Sequence, residues 1–359
     1  MPLRTISVLG GVVQDLSTIV DRLPEDGETF TASSFTTQPG GQGANSAVAV
    51  YRLSRPNPKN SSKMAPAEEG AGEEVLDDDD LQVRMVGAVG TDDFGPPLRQ
   101  NLMNCGVNVD GVQVMEGEST MVANIIIEAG NGANRILQFP GATHALMPSD
   151  FMTLESLGGG VAPDLVILQL ELRRETIEQA IETAYRNGVE ILINLSPPRY
   201  LMPEFYPMIA HLVMNEREAT MLSDCDPQDI GDRTPWTDVA EYFLNLRVQN
   251  VVVTLGENGA YYSNEFGSGY VEAEKNCTVL DTSGAGDTFV GAYAAQYMAQ
   301  KKKGQWDIEA AVKYGCKASA CVIEHVGTLI PIPWADEIDI VRHPNEAEDD
   351  EMADHTDGI

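Results

Sequence analysis

The chain has 359 residues, 43% hydrophobic and 22% charged, enough to bury a full core as one large α/β domain or as two smaller ones. Its formal net charge is −32, and two acidic blocks carry fifteen of the carboxylates: Glu68, Glu69, Glu73, Glu74 and Asp77 to Asp80, then Glu346, Glu348, Asp349, Asp350, Glu351, Asp354 and Asp357. The remaining charge of about −17 still repels a nucleic-acid backbone and an anionic membrane, which argues against both as partners.

Cys105, Cys225, Cys277, Cys316 and Cys321 are odd in number and scattered, with no C-x-x-C pair, and read as thiols of a reducing compartment. The opening MPLRTISVLGGVV is too short and strand-like for a secretory signal, and no window approaches a membrane span. The expected location is therefore the cytoplasm, with the nucleus as the alternative.

In chain order, ISVLGGVV is a buried-strand pattern ending in glycine, suited to the first strand of a parallel sheet. ETFTASSFTTQ (Glu28 to Gln38) and TMVANIIIEAG (Thr120 to Gly130) have antiparallel character and predict a small accessory sheet, a lid over the carboxyl ends of the main strands. Between them, QPGGQGANSAVAV (Gln38 to Val50) crowds glycines before a helix that packs small residues, a density that implies close approach of the backbone to a ligand. Residues Arg55 to Asp80 are rich in Pro, Gly, Ser and carboxylates and read as a disordered insert, dispensable for chemistry.

Strands are then predicted at Val83 to Gly90, Asp164 to Glu171, Glu190 to Ser196, His211 to Glu218 and Asn250 to Ala260, each apolar and ending in polar residues or glycine. Helical patterns at Arg174 to Gly188 and Val239 to Arg247 lie between them. This alternation predicts an α/β fold, a doubly wound, mostly parallel sheet with helices on both faces, plus the small β-sheet lid. Ligands of such sheets collect at the carboxyl ends of the strands.

The segment TVLDTSGAGDTFVGAYAAQYM (Thr278 to Met298) carries the clearest chemistry. A strand is expected to end at Asp281, Gly284, Ala285 and Gly286 to turn, and a helix to begin near Asp287. Backbone N–H groups at such a turn can hold a phosphate, and Asp287 sits where a carboxylate could take a proton from a neighbouring hydroxyl. The plainer reading of Asp287 is a helix cap. No G-x-x-x-x-G-K-[ST] and no G-x-G-x-x-G after the first strand occurs, which argues against a P-loop enzyme and a dinucleotide-dependent oxidoreductase.

DTSGAGDTFVGA resembles the second signature of the PfkB-type carbohydrate kinases, the ribokinase family, and GGQGAN resembles their first; the similarity runs from Val8 to about Ile340. The resemblance implies one kinase domain over residues 1–343, with lid strands around 12–38 and 112–138 and the insert at 55–80, followed by an acidic disordered tail at 344–359. It implies ATP-dependent phosphorylation of a primary hydroxyl, ribose O5 above all, with Asp287 as base and the Gly284, Ala285 and Gly286 backbone as anion hole. The implied sugar site comprises Val13, Gln14, Asp15, Gly41, Gln42, Gly43, Ala44, Asn45 and Glu171, together with Asp287. For ATP it implies Asn215, Thr254, Leu255, Gly256, Glu257, Asn258, Gly259, Gly286, Asp287 and Cys316. Glu218 would hold Mg2+ through water, and Asp281 with Ser283, Val322, His325 and Gly327 would form a K+ site. A homodimer through the lid sheet is implied as well.

Two positions depart from the family pattern. Val13 stands where ribokinases commonly have Asn, and Gln42 where the first signature usually has Lys. Both bear on the preferred sugar, and fructose, adenosine or another pentose are the alternative substrates. They also motivate a second reading, a sugar or nucleotide sensor without catalysis.

Overall fold

The computed structural model describes residues 3–60, 81–130, 133–223, 236–275, 277–329 and 331–340. Cys225, residues 61–80 of the expected insert and the tail 344–359 lie outside the described residues.

The strands are β1 (Arg4–Leu9), β2 (Val13–Val20), β3 (Ser34–Gly40), β4 (Leu81–Gly90), β5 (Asn108–Met115), β6 (Met121–Glu128), β7 (Asn134–Phe139), β8 (Leu165–Gln169), β9 (Glu190–Asn194), β10 (His211–Asn215), β11 (Asn250–Thr254), β12 (Ala260–Asn264) and β13 (Gly267–Val271). The helices are α1 (Gln42–Leu53), α2 (Gly95–Asn104), α3 (Leu154–Leu157), α4 (Arg174–Arg186), α5 (Glu216–Leu222), α6 (Trp236–Asn245), α7 (Ala285–Lys302) and α8 (Ile308–Ile323). Nine strands form one sheet in the order β13-β12-β11-β10-β9-β8-β1-β4-β5, and β3-β2-β6-β7 form a separate sheet. From β5 to β11 every pairing is parallel, while β12 and β13 add an antiparallel hairpin.

Alternation along each strand divides the core. Val252 and Ile167 enter the layer with helices α1, α7 and α8, whereas Val251, Val253, Val166 and Leu168 enter the layer with α4 and α6. Burial on both faces explains why these strands read as unbroken apolar runs. After β1 the chain builds β4 and β5 on one side and then β8 to β11 on the other. The crevice at β1 and β8, where the direction reverses, is the favoured ligand position in such sheets.

Four boundaries differ from the sequence reading. Residues 112–115 finish β5 in the main sheet, with Val112 opposite Gly87, so the second lid segment starts at β6. No strand covers residues 28–33, because the ladder of β3 with β2 starts at Ser34. Residues 278–281 are not a strand either: Leu280 and Asp281 N–H both donate to Ile323 O, so the segment lies against the end of α8 rather than along a sheet edge. The first residues of the expected insert are tied down, Arg55 donating to Leu81 O at 2.8 Å and Asn57 Nδ2 to Glu337 Oε1 at 2.6 Å.

Candidate active site at the carboxyl ends of the strands

The glycine cluster packs backbone on backbone. A Cβ on Gly43 would lie 2.7 Å from Gly10 Cα, so α1 can approach the turn after β1 only without a side chain there. Glu171, just beyond β8, accepts the N–H groups of Gly11 at 2.5 Å, Gln42 at 3.0 Å and Gly43 at 3.1 Å. One buried carboxylate thus fastens both glycine segments. Its burial raises its pKa, with the three amides opposing. Asp15 on β2 lies across Gly40, where a Cβ would sit 2.0 Å from its Oδ2. Burial, then the charge of Glu171, pushes Asp15 up to about 7.

Gly284 caps α7 with φ +77°, a left-handed conformation that favours glycine, and the first turn behind it leaves N–H groups directed out of the helix. Ala285 N–H is partly engaged, at 3.3 Å from Thr282 O. Asp287, in that first turn, is 7% exposed and accepts from Asn45 Nδ2 at 2.8 Å. Its pKa is pushed up to about 8 by burial, against the Asn45 hydrogen bond and with the charges of Glu171, Asp15 and Glu218 adding to the rise. A carboxylate so placed is basic enough to take a proton near neutral pH.

Asn215 and Glu218 form a capping box on α5: Asn215 Oδ1 accepts from Glu218 N–H at 2.9 Å, and Glu218 Oε2 from Asn215 N–H at 2.8 Å. Glu218, buried and with its pKa raised mainly by that burial, borders a cavity of about 220 Å³ together with Gln42, Asn194, Ser196, Gly284 and Asp287. A larger cleft of about 600 Å³ is lined by Gly256, Glu257, Gly259, Cys316 and the apolar Phe289, Ala320 and Ile323. Thr254 and Gly286 line both spaces, so the cleft and the cavity meet there. Burial, then Glu274, pushes the Cys316 thiol up to about 12, so it lines the cleft as a neutral group.

Asp281 staples two loops, Oδ1 accepting from Ser283 N–H at 2.9 Å and Oδ2 from Gly327 N–H at 3.0 Å. Burial opposes its ionisation, but these bonds outweigh it and hold its carboxyl below the usual range. Val322 O accepts from His325 N–H at 3.1 Å, and His325 Nδ1 lies 3.1 Å from Cys321 O. Among the described residues, no group of three or more His, Cys, Asp or Glu could hold a metal ion by itself.

The pfkB family carbohydrate kinase model matches residues 3–335. The chain belongs to the pfkB family of carbohydrate kinases. A ribokinase of Schizosaccharomyces pombe is 33% identical over 339 residues, covering 93% of this chain and 96% of the relative. A deoxyribokinase of Salmonella typhi is 31% identical over 343 residues, covering 95% and 99%. The crystal structure of a ribokinase from Thermotoga maritima, 29% identical, superposes with a TM-score of 0.74 over 94% of this chain and 99% of that one.

Of the residues that the pfkB resemblance singles out, Gln42, Asn215, Glu218, Thr254, Gly256, Glu257, Gly259, Gly284, Ala285, Gly286, Asp287 and Cys316 line these two spaces, whereas Asp15, Gly41, Gly43, Asn45 and Glu171 of the expected sugar site and Asp281, Ser283, Val322, His325 and Gly327 of the expected K+ site do not. The side chains of Val13, Ala44 and Leu255 are buried in apolar clusters. Gln14 turns into the lid, donating to Gln38 O at 2.9 Å. Asn258 closes its turn, with its N–H on Leu255 O at 2.9 Å. Sequence reasoning passed over Gln169, Asn194, Ser196 and Ser46. Asn194 Nδ2 donates to Gln169 Oε1 at 2.9 Å, Gln169 Nε2 to Ser46 Oγ at 2.8 Å, and Ser46 Oγ to Asp287 O at 3.4 Å. The available signal was a glutamine inside the apolar run VILQLE, a polar group that burial obliges to find partners.

Proposed function

We propose that this kinase transfers the γ-phosphoryl of ATP to the primary hydroxyl of a pentose, D-ribose to D-ribose 5-phosphate. The observation that carries the reading is the junction of the two spaces at Gly286 beside Asp287: the large apolar-walled cleft suits a nucleobase, the small polar cavity lined by Asn215, Glu218, Gly284 and Asp287 suits the phosphates at the transfer point, and Asn45 of the sugar loop meets Asp287 there. The bond from the bridging oxygen to the γ-phosphorus breaks and a bond from the sugar oxygen forms. Asp287 takes the hydroxyl proton, and ADP leaves with the electron pair.

Asp15, Asn45 and the Gly41–Gly43 backbone grip the sugar hydroxyls, a charged acceptor and an amide suiting vicinal hydroxyls. Glu171 contributes chiefly by holding that loop. The N–H groups of Gly284, Ala285 and Gly286 face the transferring group, in keeping with a reaction that needs alignment and charge stabilisation above all. Thr254, Gly256, Glu257, Gly259, Asn215 and Cys316 border the nucleotide. Glu218, one buried carboxylate, fits a Mg2+ ion that arrives on the nucleotide phosphates and keeps its waters; bound there it would neutralise phosphate charge. The ionised Asp281 with the neighbouring carbonyls fits K+. Exposed Phe35, Ile136, Leu137 and Phe139 on the lid sheet favour a homodimer through that sheet. A cytoplasmic location suits the substrates.

The deoxyribokinase relative favours 2-deoxyribose as a second substrate reading. Release of ADP is to be measured with ribose, deoxyribose, fructose and adenosine, with and without K+. The reading expects the highest kcat/KM with ribose; binding without ADP release would replace it by the sensor reading.

A further inference from the structure

Three polar side chains run under the site from the backbone of Asp287 to the cavity beside it. Gln169 ends β8 and Asn194 ends β9, opposite one another in the parallel ladder, so both side chains leave the sheet on the face that carries α1. Ser46 Oγ of α1 donates to Asp287 O at 3.4 Å, Gln169 Nε2 donates to Ser46 Oγ at 2.8 Å, and Asn194 Nδ2 donates to Gln169 Oε1 at 2.9 Å. Ser46 and Gln169 are fully buried, whereas Asn194 borders the cavity with Asn215, Glu218, Gly286 and Asp287.

Donors and acceptors along this chain follow one sense. A carbonyl can only accept, so the Ser46 hydroxyl gives its single proton to Asp287 O and must accept from Gln169. Gln169 therefore turns its amino group to Ser46 and its oxygen to Asn194, and Asn194 turns its own amino group inward. Reversing Asn194 alone would set two amide oxygens against each other with no proton between them. Asn194 Oδ1, which has no partner among the described residues, is thereby left to the cavity. An oxygen that only accepts repels phosphate oxygens but suits a hard cation or the water that such a cation holds.

We infer that Asn194 Oδ1 is a further protein contact, beside Glu218, for the Mg2+ that arrives on the nucleotide phosphates, and that Gln169 is the positioning residue that turns this oxygen toward it. The inference rests on the kinase reading above. Partners of this kind, behind the groups that meet a metal, fix the orientation of those groups and are felt in metal affinity.

Calorimetry on the full chain, without sugar, measures the affinity for a non-hydrolysable ATP analogue once with Mg2+ and once with EDTA; the ratio of the two is the gain from the metal. Asn194→Ala should lower that ratio about 10-fold and leave the EDTA affinity within about 2-fold of wild type, because the lost oxygen faces the cation and not the phosphates. Asn194→Asp, which keeps an acceptor, should hold the ratio at or above the wild-type value. Gln169→Met, close in shape but without either polar atom, frees the Asn194 amide to turn. It should lower the ratio at least about 3-fold, and the double variant with Asn194→Ala should fall no further than Asn194→Ala alone. Melting temperatures without ligand identify the variants that fold, and the two Asn194 variants carry the test if Gln169→Met does not. An unchanged ratio in Asn194→Ala, or an equal loss with Mg2+ and with EDTA, overturns the inference and leaves the kinase reading standing. A folded Gln169→Met with the wild-type ratio removes Gln169 from the positioning role. Failure of the wild type to bind the analogue under either condition overturns the kinase reading, and the inference with it.

Discussion

Asn45 Nδ2 donates to Asp287 Oδ2 at 2.8 Å across the interface of α1 and α7. It joins the two signature segments, 242 residues apart, and is a hydrogen bond that favours the ionised form of Asp287 against burial and three neighbouring carboxylates. Removing it must make that carboxylate harder to ionise. In Asn45→Ala the acidic limb of the kcat/KM profile, near pH 8 in the free enzyme, should move up by about one to two units, the worth of one hydrogen bond to a charged group. A pH–rate profile that does not move would remove Asn45 from this role.

The same burial makes stability depend on pH. Asp15 and Asp287 have folded pKa values of about 7 and about 8, above their unfolded values, so over that interval the native state holds protons that the unfolded chain has released. The stability of the ligand-free protein should therefore fall as pH rises from about 4 to about 8. Asp287→Asn, which has no proton to lose, should flatten that fall in a series of thermal melts.

Much of this arrangement was legible in the sequence, and for definable reasons. Strands buried on both faces must be apolar throughout, which exposed β8 to β11, and the end of each run marked the side on which ligands gather. The chain from Asn194 through Gln169 to Ser46 was not legible, because partners up to 123 residues apart meet only when the sheet is assembled. Nor was the double duty of the glycines. Density suggested a ligand, whereas Gly43 is required first by the carbon of Gly10. At Asp281 the apolar VL before the aspartate imitated a strand, but its N–H groups go to a helix end.

Two glycines separate these requirements. Gly43→Ala brings Cβ against backbone and should lower the melting temperature markedly, with loss of soluble protein at the extreme. Gly286→Ala meets nothing within 4 Å, and in a helix alanine is favoured over glycine by about 1 kcal/mol. It should keep the melting temperature at or above wild type, yet raise the KM for ATP and lower kcat, because Gly286 borders both the cleft and the cavity. Steady-state kinetics beside thermal melts checks both.

Glu171 offers a third separation. Glu171→Gln keeps the shape but replaces one acceptor oxygen by a donor facing a backbone N–H, at a cost of about 1–3 kcal/mol. Because the amides concerned belong to Gly11, Gln42 and Gly43, the sugar KM should rise about 10-fold while the KM for ATP stays within about 2-fold. Equal effects on both substrates would place Glu171 in general folding instead.

The central claim is that Asp287 takes the proton of a pentose hydroxyl during transfer from ATP. Its most direct test is to measure, side by side, ADP release and equilibrium ribose binding by the wild type and Asp287→Asn. The wild type should release ADP only when sugar is present, and the variant should turn over at least about 100-fold more slowly while binding ribose within about 3-fold. A variant with near wild-type kcat, or a wild type that releases no ADP with any sugar, would contradict the account.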